Sequence, residues 1–152
     1  MSLITDSLAF AGDSDDSSIT NSMSGIPLPF VGITSISSQA YYWTQIFTAL
    51  DKFTLSNVQF STDAKLLAVL TKYLSIPGPA TKNFINVFNS SNGKILSSRY
   101  FPDAFYSSSE NVRQIIISSS PKPMVYVWAG YENTISAPIT MGKTLFKYDP
   151  FN

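Results

Sequence analysis

Val58-Gln59-Phe60-Ser61-Thr62-Asp63-Ala64-Lys65-Leu66-Leu67-Ala68-Val69-Leu70 opens a stretch, ending at Phe101, whose reading decides the fold. The short run Val58 to Ser61 meets a polar turn at Thr62 to Lys65, and Leu66 to Leu70 is a longer apolar run. A loop carrying Pro77, Gly78 and Pro79 follows, then Asn83 to Phe88, a turn at Asn89-Ser90-Ser91-Asn92-Gly93-Lys94, and Ile95 to Phe101. Short β-rich runs bounded by Gly, Pro, Asn and Ser mark strands and hairpins, and Asn-Gly is the strongest turn signal among them. The stretch therefore predicts one complete four-stranded unit.

Laid over this template, the flanking chain gives two further copies. Leu3-Ile4-Thr5-Asp6 matches Phe60-Ser61-Thr62-Asp63, and Leu8 to Ala11 matches the run opened by Leu66. Pro29 to Ile33 matches Asn83 to Val87, and Tyr41 to Phe47 matches Ile95 to Phe101. On the C-terminal side, Val112 to Ile117, Met124 to Ala129 and Thr144 to Tyr148 supply three segments, with no fourth after them. Leu8, Leu66 and Met124 open the second segment of each copy, 58 residues apart each time. A fixed period of this kind points to a repeat architecture. The nine prolines fall at expected loops or strand ends, where a missing N–H does little harm. The helix-compatible stretch Thr44 to Lys52 is short and rich in β-branched and aromatic residues.

Several expected strands are apolar at consecutive positions: Leu66 to Leu70, Ile115 to Ile117, Met124 to Trp128. A strand of a two-layer sandwich has one wet face and should alternate, whereas a strand covered on both faces need not. Four-stranded sheets stacked face to face around an axis satisfy this, which is the β-propeller arrangement; a β-sandwich is the alternative. The run Val58 to Val69, continued by Phe84-Ile85-Asn86-Val87-Phe88 and Asn92-Gly93-Lys94-Ile95-Leu96, resembles blades of the WD40-like β-propeller superfamily. In those blades an F-S-x-D-x-K-x-L turn joins the first two strands and an N-G-K hairpin joins the last two. The Gly-His and Trp-Asp signatures of true WD40 repeats are absent here. The resemblance implies an all-β chain forming a single propeller segment over residues 1–152, with blade-like repeats at about 1–50, 51–105 and 106–152, the last lacking its outer strand. Three blades do not close a ring, since propellers use roughly four to eight. The expectation is thus either an excerpt of a longer propeller or a ring completed by other chains.

Composition narrows the function classes. The chain has 152 residues, zero net charge, no cysteine and no histidine. Disulfides, thiolate nucleophiles, the usual zinc sites and imidazole bases are therefore excluded. Neutral charge argues against nucleic-acid binding, which needs a basic excess. No window of 18 apolar residues occurs, so no helical membrane span is expected, and no basic leader precedes an apolar run. Charge is nonetheless polarised: residues 1–50 carry four aspartates and no cation, while residues 51–152 carry ten cations and six acids. An acidic end and a basic end of this kind can meet in a second copy.

The candidate sites are sparse. Three long loops are expected at 13–26, 72–82 and 132–143, and loops gathered on one face of a rigid scaffold are where binding concentrates. Tyr73 and Tyr131, at the starts of two of them, are the candidate ligand-stacking aromatics; most other aromatics, Tyr41, Tyr42, Trp43, Tyr126 and Trp128 included, are expected in the core. Asp13, Asp15 and Asp16 offer carboxylates to a calcium ion, without the glycine and distal glutamate of an EF-hand. Asn89-Ser90-Ser91 is a glycosylation sequon. No carboxylate pair is spaced for acid–base catalysis. The sequence therefore predicts a non-enzymatic structural or interaction subunit, with no cofactor beyond that calcium option. Its expected partners are copies of itself or other protein subunits. The alternatives are a lectin-like, glycan-binding propeller module or an excerpt of a larger propeller protein. The sequon and the Ser/Thr-rich, charge-poor surface point to an extracellular location, with a cytoplasmic one as the alternative.

Overall fold

Turn chemistry and apolar runs divide the described residues into eleven strands. A computed structural model describes residues 2–16, 28–47, 52–74, 81–101, 111–119, 121–133 and 140–152. The described residues contain no helix. The first sheet is an antiparallel meander of β1 (Ser2–Ile4), β2 (Ser7–Ser14), β3 (Leu28–Ser35) and β4 (Tyr41–Ile46). The second is β5 (Lys52–Phe60), β6 (Leu66–Leu74), β7 (Thr81–Asn89) and β8 (Ile95–Phe101). The third has three strands, β9 (Asn111–Ile117), β10 (Val125–Asn133) and β11 (Thr140–Tyr148). None of the three sheets closes on itself, and the chain is all-β as its sequence predicts.

The sheets repeat residue by residue. Leu3 pairs with Leu8 as Phe60 pairs with Leu67 and Ile117 with Val125. A bulge at Tyr42 in β4, opposite Ile33 and Thr34, reappears at Leu96 in β8, opposite Val87 and Phe88, so Thr34 and Phe88 are equivalent. The turn after β5 recurs after β9: Ser61 N–H donates to the Leu66 carbonyl and Ser118 N–H to that of Met124, both at 2.9 Å. Each serine hydroxyl also accepts from the same partner's N–H, at 3.0 Å in both turns.

One expectation from the sequence shifts here. By strand register, Leu8 matches Leu67 and not Leu66, so second strands of the first two sheets are offset by 59 residues; Leu67 and Val125 are offset by 58. The cause is turn length: between equivalent pairs the first hairpin spends residues 4–7, the second 61–66 and the third 118–124. A slip of one residue exchanges the faces of a strand. It decides which side of the first sheet is uncovered.

The second sheet is the middle layer. One of its faces, Val58, Phe60, Leu67, Val69 and Phe88, packs on Ala9, Val31 and Ile33 of the first sheet. The opposite face, Ala68, Leu70, Ile85 and Val87, packs on Ile115, Ile117, Val125 and Val127 of the third. Leu67 to Leu70 are thus apolar in succession because alternate side chains enter two different cores. Both joints carry the same hydrogen bond. Trp43 Nε1 donates to the Ser90 carbonyl at 2.7 Å, and at the equivalent position Ser97 donates its hydroxyl to the Pro150 carbonyl. Residues 149–152 thereby cross to β8, where Arg99 also donates to the Asn152 carbonyl.

Candidate functional site: two uncovered sheet faces

Because the second sheet is covered twice, the first and third sheets each keep one face with no neighbour among the described residues. On the first sheet this is the side of Leu8, Phe10, Phe30 and Thr34. With Ser35, Ile36, Gln39 and Tyr41 these residues line an open groove of about 390 Å³. Phe10 sits 5.6 Å from Phe30 and 5.8 Å from Tyr41 between ring centroids. Gly32 makes this possible, since a Cβ there would lie 2.6 Å from the Phe10 ring. Beside Phe30, Gly12 faces open space, with nothing within 4 Å of where its Cβ would be.

The rim of the groove is fixed by Asp6. Its carboxylate accepts from the Ser35 and Ser37 hydroxyls and the Ser37 N–H, at 2.7–2.8 Å. The Ser37 and Ser35 hydroxyls, with that N–H, hold the Asp6 carboxyl below the usual carboxylate range. Asp63 is lowered in the same way, first by the Ser61 hydroxyl at 2.7 Å. Ser119, from the turn of the third sheet, accepts from the Asp63 N–H at 2.7 Å and ties the second and third sheets at this end.

The uncovered face of the third sheet carries Ile116, Tyr126, Trp128, Leu145 and Lys147. Ile116 is 48% exposed, Trp128 46% and Leu145 64%. Lys147 stands over the Tyr126 ring at 5.6 Å. Here the apolar succession of β9 and β10 has cover on one side only, unlike that of β6. The expectation that Tyr41, Tyr42 and Trp128 belong to the core is therefore corrected: Tyr41 and Tyr42 are more than half exposed and Trp128 nearly so, while Trp43 packs against the first core. Spacing gave no sign of this, because alternation places a residue on a face and says nothing of whether a neighbour covers that face.

The residues singled out from the sequence lie elsewhere. Tyr73 and Tyr131 are not at loop starts but within β6 and β10, paired with Lys82 and Gly142; their side chains lie outside the described residues. The longer strands arise because the ladders extend past the apolar runs into polar sequence. Asp13 lies in β2, and Asp15 and Asp16 follow it in exposed positions; the loop cores 17–27, 75–80 and 134–139 are outside the described residues. Among the described residues, no three acidic side chains gather into a metal site. Asn89 ends β7, and its Oδ1 accepts from the N–H and hydroxyl of Ser91, at 2.9 and 2.7 Å. No helix of the described residues is long and apolar enough to cross a membrane. No protein-family model matches the chain, and no curated protein matches it in sequence.

Proposed function

We propose that this chain is a non-enzymatic structural and interaction module of β-propeller blades. It acts by docking its two end sheets, face to face, onto further sheets, supplied by copies of itself or by partner chains. The observation that carries this reading is the third sheet, whose strands are apolar on both sides while only one side is covered. The blade reading is supported by the serial order of the sheets, by the recurrence of the same bulge, turn and inter-sheet hydrogen bond, and by the first strand of each later sheet packing across the preceding one. Three such sheets leave a ring open, so the end faces need occupants.

The chain has two tryptophans, Trp43 and Trp128, so a Trp43→Phe background leaves Trp128 as the sole reporter of the third sheet's outer face. Docking predicts that acrylamide quenching of Trp128 falls as the protein is concentrated from about 0.1 to 100 µM, a range that spans ordinary interface affinities. Quenching that stays high throughout would exclude docking between copies, and quenching that also stays high in an extract holding the partner chains would overturn the reading. A glycan-binding module is the second reading, favoured by the groove in which exposed Tyr41 stands beside half-buried Phe10 and Phe30, offering ring faces to a sugar. Saccharide-dependent chemical-shift changes confined to those rings, with Trp128 still fully wet, would favour it.

A further inference from the structure

Asparagine followed by glycine occurs once in this chain, at Asn92-Gly93, and the fold puts the pair where the second sheet meets the first. We propose that Asn92-Gly93 is a site of spontaneous covalent modification, deamidation through a cyclic imide, and that the joint between these two sheets sets its rate. Asparagine is chemically labile, and a following glycine has no side chain to hinder ring closure.

In this reaction the Gly93 nitrogen gives its proton to hydroxide and attacks Cγ of Asn92. The Cγ–Nδ2 bond breaks, ammonia leaves with a proton from water, and a five-membered imide remains. Water opening the imide at Cγ gives aspartate. Opening at the main-chain carbonyl gives isoaspartate, whose backbone runs on through Cβ and Cγ and is one methylene longer. Overall one amide and one water become one carboxylate and one ammonium ion, with no change of oxidation state.

The folded turn withholds the attacking atom. Gly93 N–H donates to the Asn89 carbonyl at 2.9 Å, and Asn92 Oδ1 accepts from the Lys94 N–H at 3.0 Å, so the nucleophile is engaged and the amide is tethered past it. Asn92 is exposed, so water and hydroxide reach it, whereas Gly93 is buried against the Trp43 ring with φ of 71°. Trp43 is itself anchored on this turn, through Nε1 to the Ser90 carbonyl and by stacking on Phe88. The Gly93 nitrogen is therefore freed only when the turn leaves Trp43, and the rate follows the fraction of molecules open at this joint. The isoaspartyl product cannot reverse the opening. Its longer backbone no longer brings Gly93 under the ring while the Ser90 carbonyl meets Nε1, so the reaction latches the joint open.

The test incubates the whole chain at one mildly alkaline pH, folded and unfolded in guanidinium chloride. Conversion of amide to acid is followed by mass, with fragmentation and isoaspartate-specific methylation placing it at residue 92. The folded chain is expected to convert at least about 10-fold more slowly than the unfolded one, because only its open fraction reacts. Trp43→Phe keeps a ring and removes the Nε1 donor. When folded it should convert about 2- to 10-fold faster than the unaltered chain, the change one hydrogen bond makes in an opening equilibrium, and when unfolded at the same rate. Val127→Ala weakens the other core and should accelerate conversion less. Far-ultraviolet circular dichroism checks that both variants fold. Equal rates in the folded and unfolded chain, no acceleration in Trp43→Phe, or as much acceleration in Val127→Ala would each overturn the proposal. The isoaspartyl form, separated by its added charge, should unfold at a lower urea concentration, and an unchanged midpoint would overturn the latch.

Discussion

At Gly93 a single hydrogen atom holds the β7–β8 turn against the first sheet. The residue has φ of 71°, and a Cβ would fall 2.7 Å from the Trp43 ring. Gly93→Ala combines left-handed backbone strain with an overpacked contact, so a loss of about 2–4 kcal/mol is expected in the urea midpoint. Tyr148 presents the converse. Its hydroxyl is buried with no hydrogen-bond partner among the described residues, in the position that Phe88 fills in the second sheet. Removing an unsatisfied hydroxyl relieves a desolvation penalty, so Tyr148→Phe is expected to be neutral or stabilising by up to about 1 kcal/mol in the same measurement. Burial pushes that phenol well above its ordinary value, with Arg99 pulling weakly the other way. Above pH 10 the unfolded chain therefore ionises this group before the folded one does. Stability should fall there, and Tyr148→Phe should fall less. On the acid side Asp6, Asp63 and Asp149 all have lowered values and add stability that is present above about pH 4 and lost as the pH drops below it. Melting curves between pH 5 and 2.5 should flatten in the Asp6→Asn, Asp63→Asn double variant.

Among elements, β6 and β7 bear most of the packing. Phe88 is fully buried between Trp43, stacked at 6.0 Å, and Phe47, edge-on at 6.5 Å. Phe88→Ala should cost about 3–5 kcal/mol, the range for aromatic truncation in a core, and chemical denaturation measures it. The four strands of this sheet and their order were legible in the sequence because turn chemistry and apolar runs agree there, but not their full length, since β5 begins at Lys52 and β6 runs on to Leu74. Legible too was the match of β3 and β4 to β7 and β8, residue for residue. The one-residue error in the β2 match came from hairpins of unequal length, which a constant period cannot represent. The uncovered faces were not legible. Tyr126 and Trp128 carry the same apolar signal as Ala68 and Leu70, and only the arrangement of sheets in space separates a filled joint from an open one. Polar neighbours of Tyr73 and Tyr131 hide the continuing ladders, so in sequence both read as loop edges.

For the whole molecule, the order of the sheets assigns the roles. The two outer sheets each border one core, and the middle sheet borders both, so exchange of amide hydrogens should be slowest in β6 and β7 and faster in β2 and β10.

One consequence follows from the single strand whose neighbouring side chains answer to different cores. In β6, Leu67 and Val69 lean one way and Ala68 and Leu70 the other, so this strand is a party wall. Whatever shifts it from one room is felt in the next: enlarging Ala9 should loosen or tighten the seating of Val127, and a double-mutant cycle should find the two non-additive although they belong to different cores.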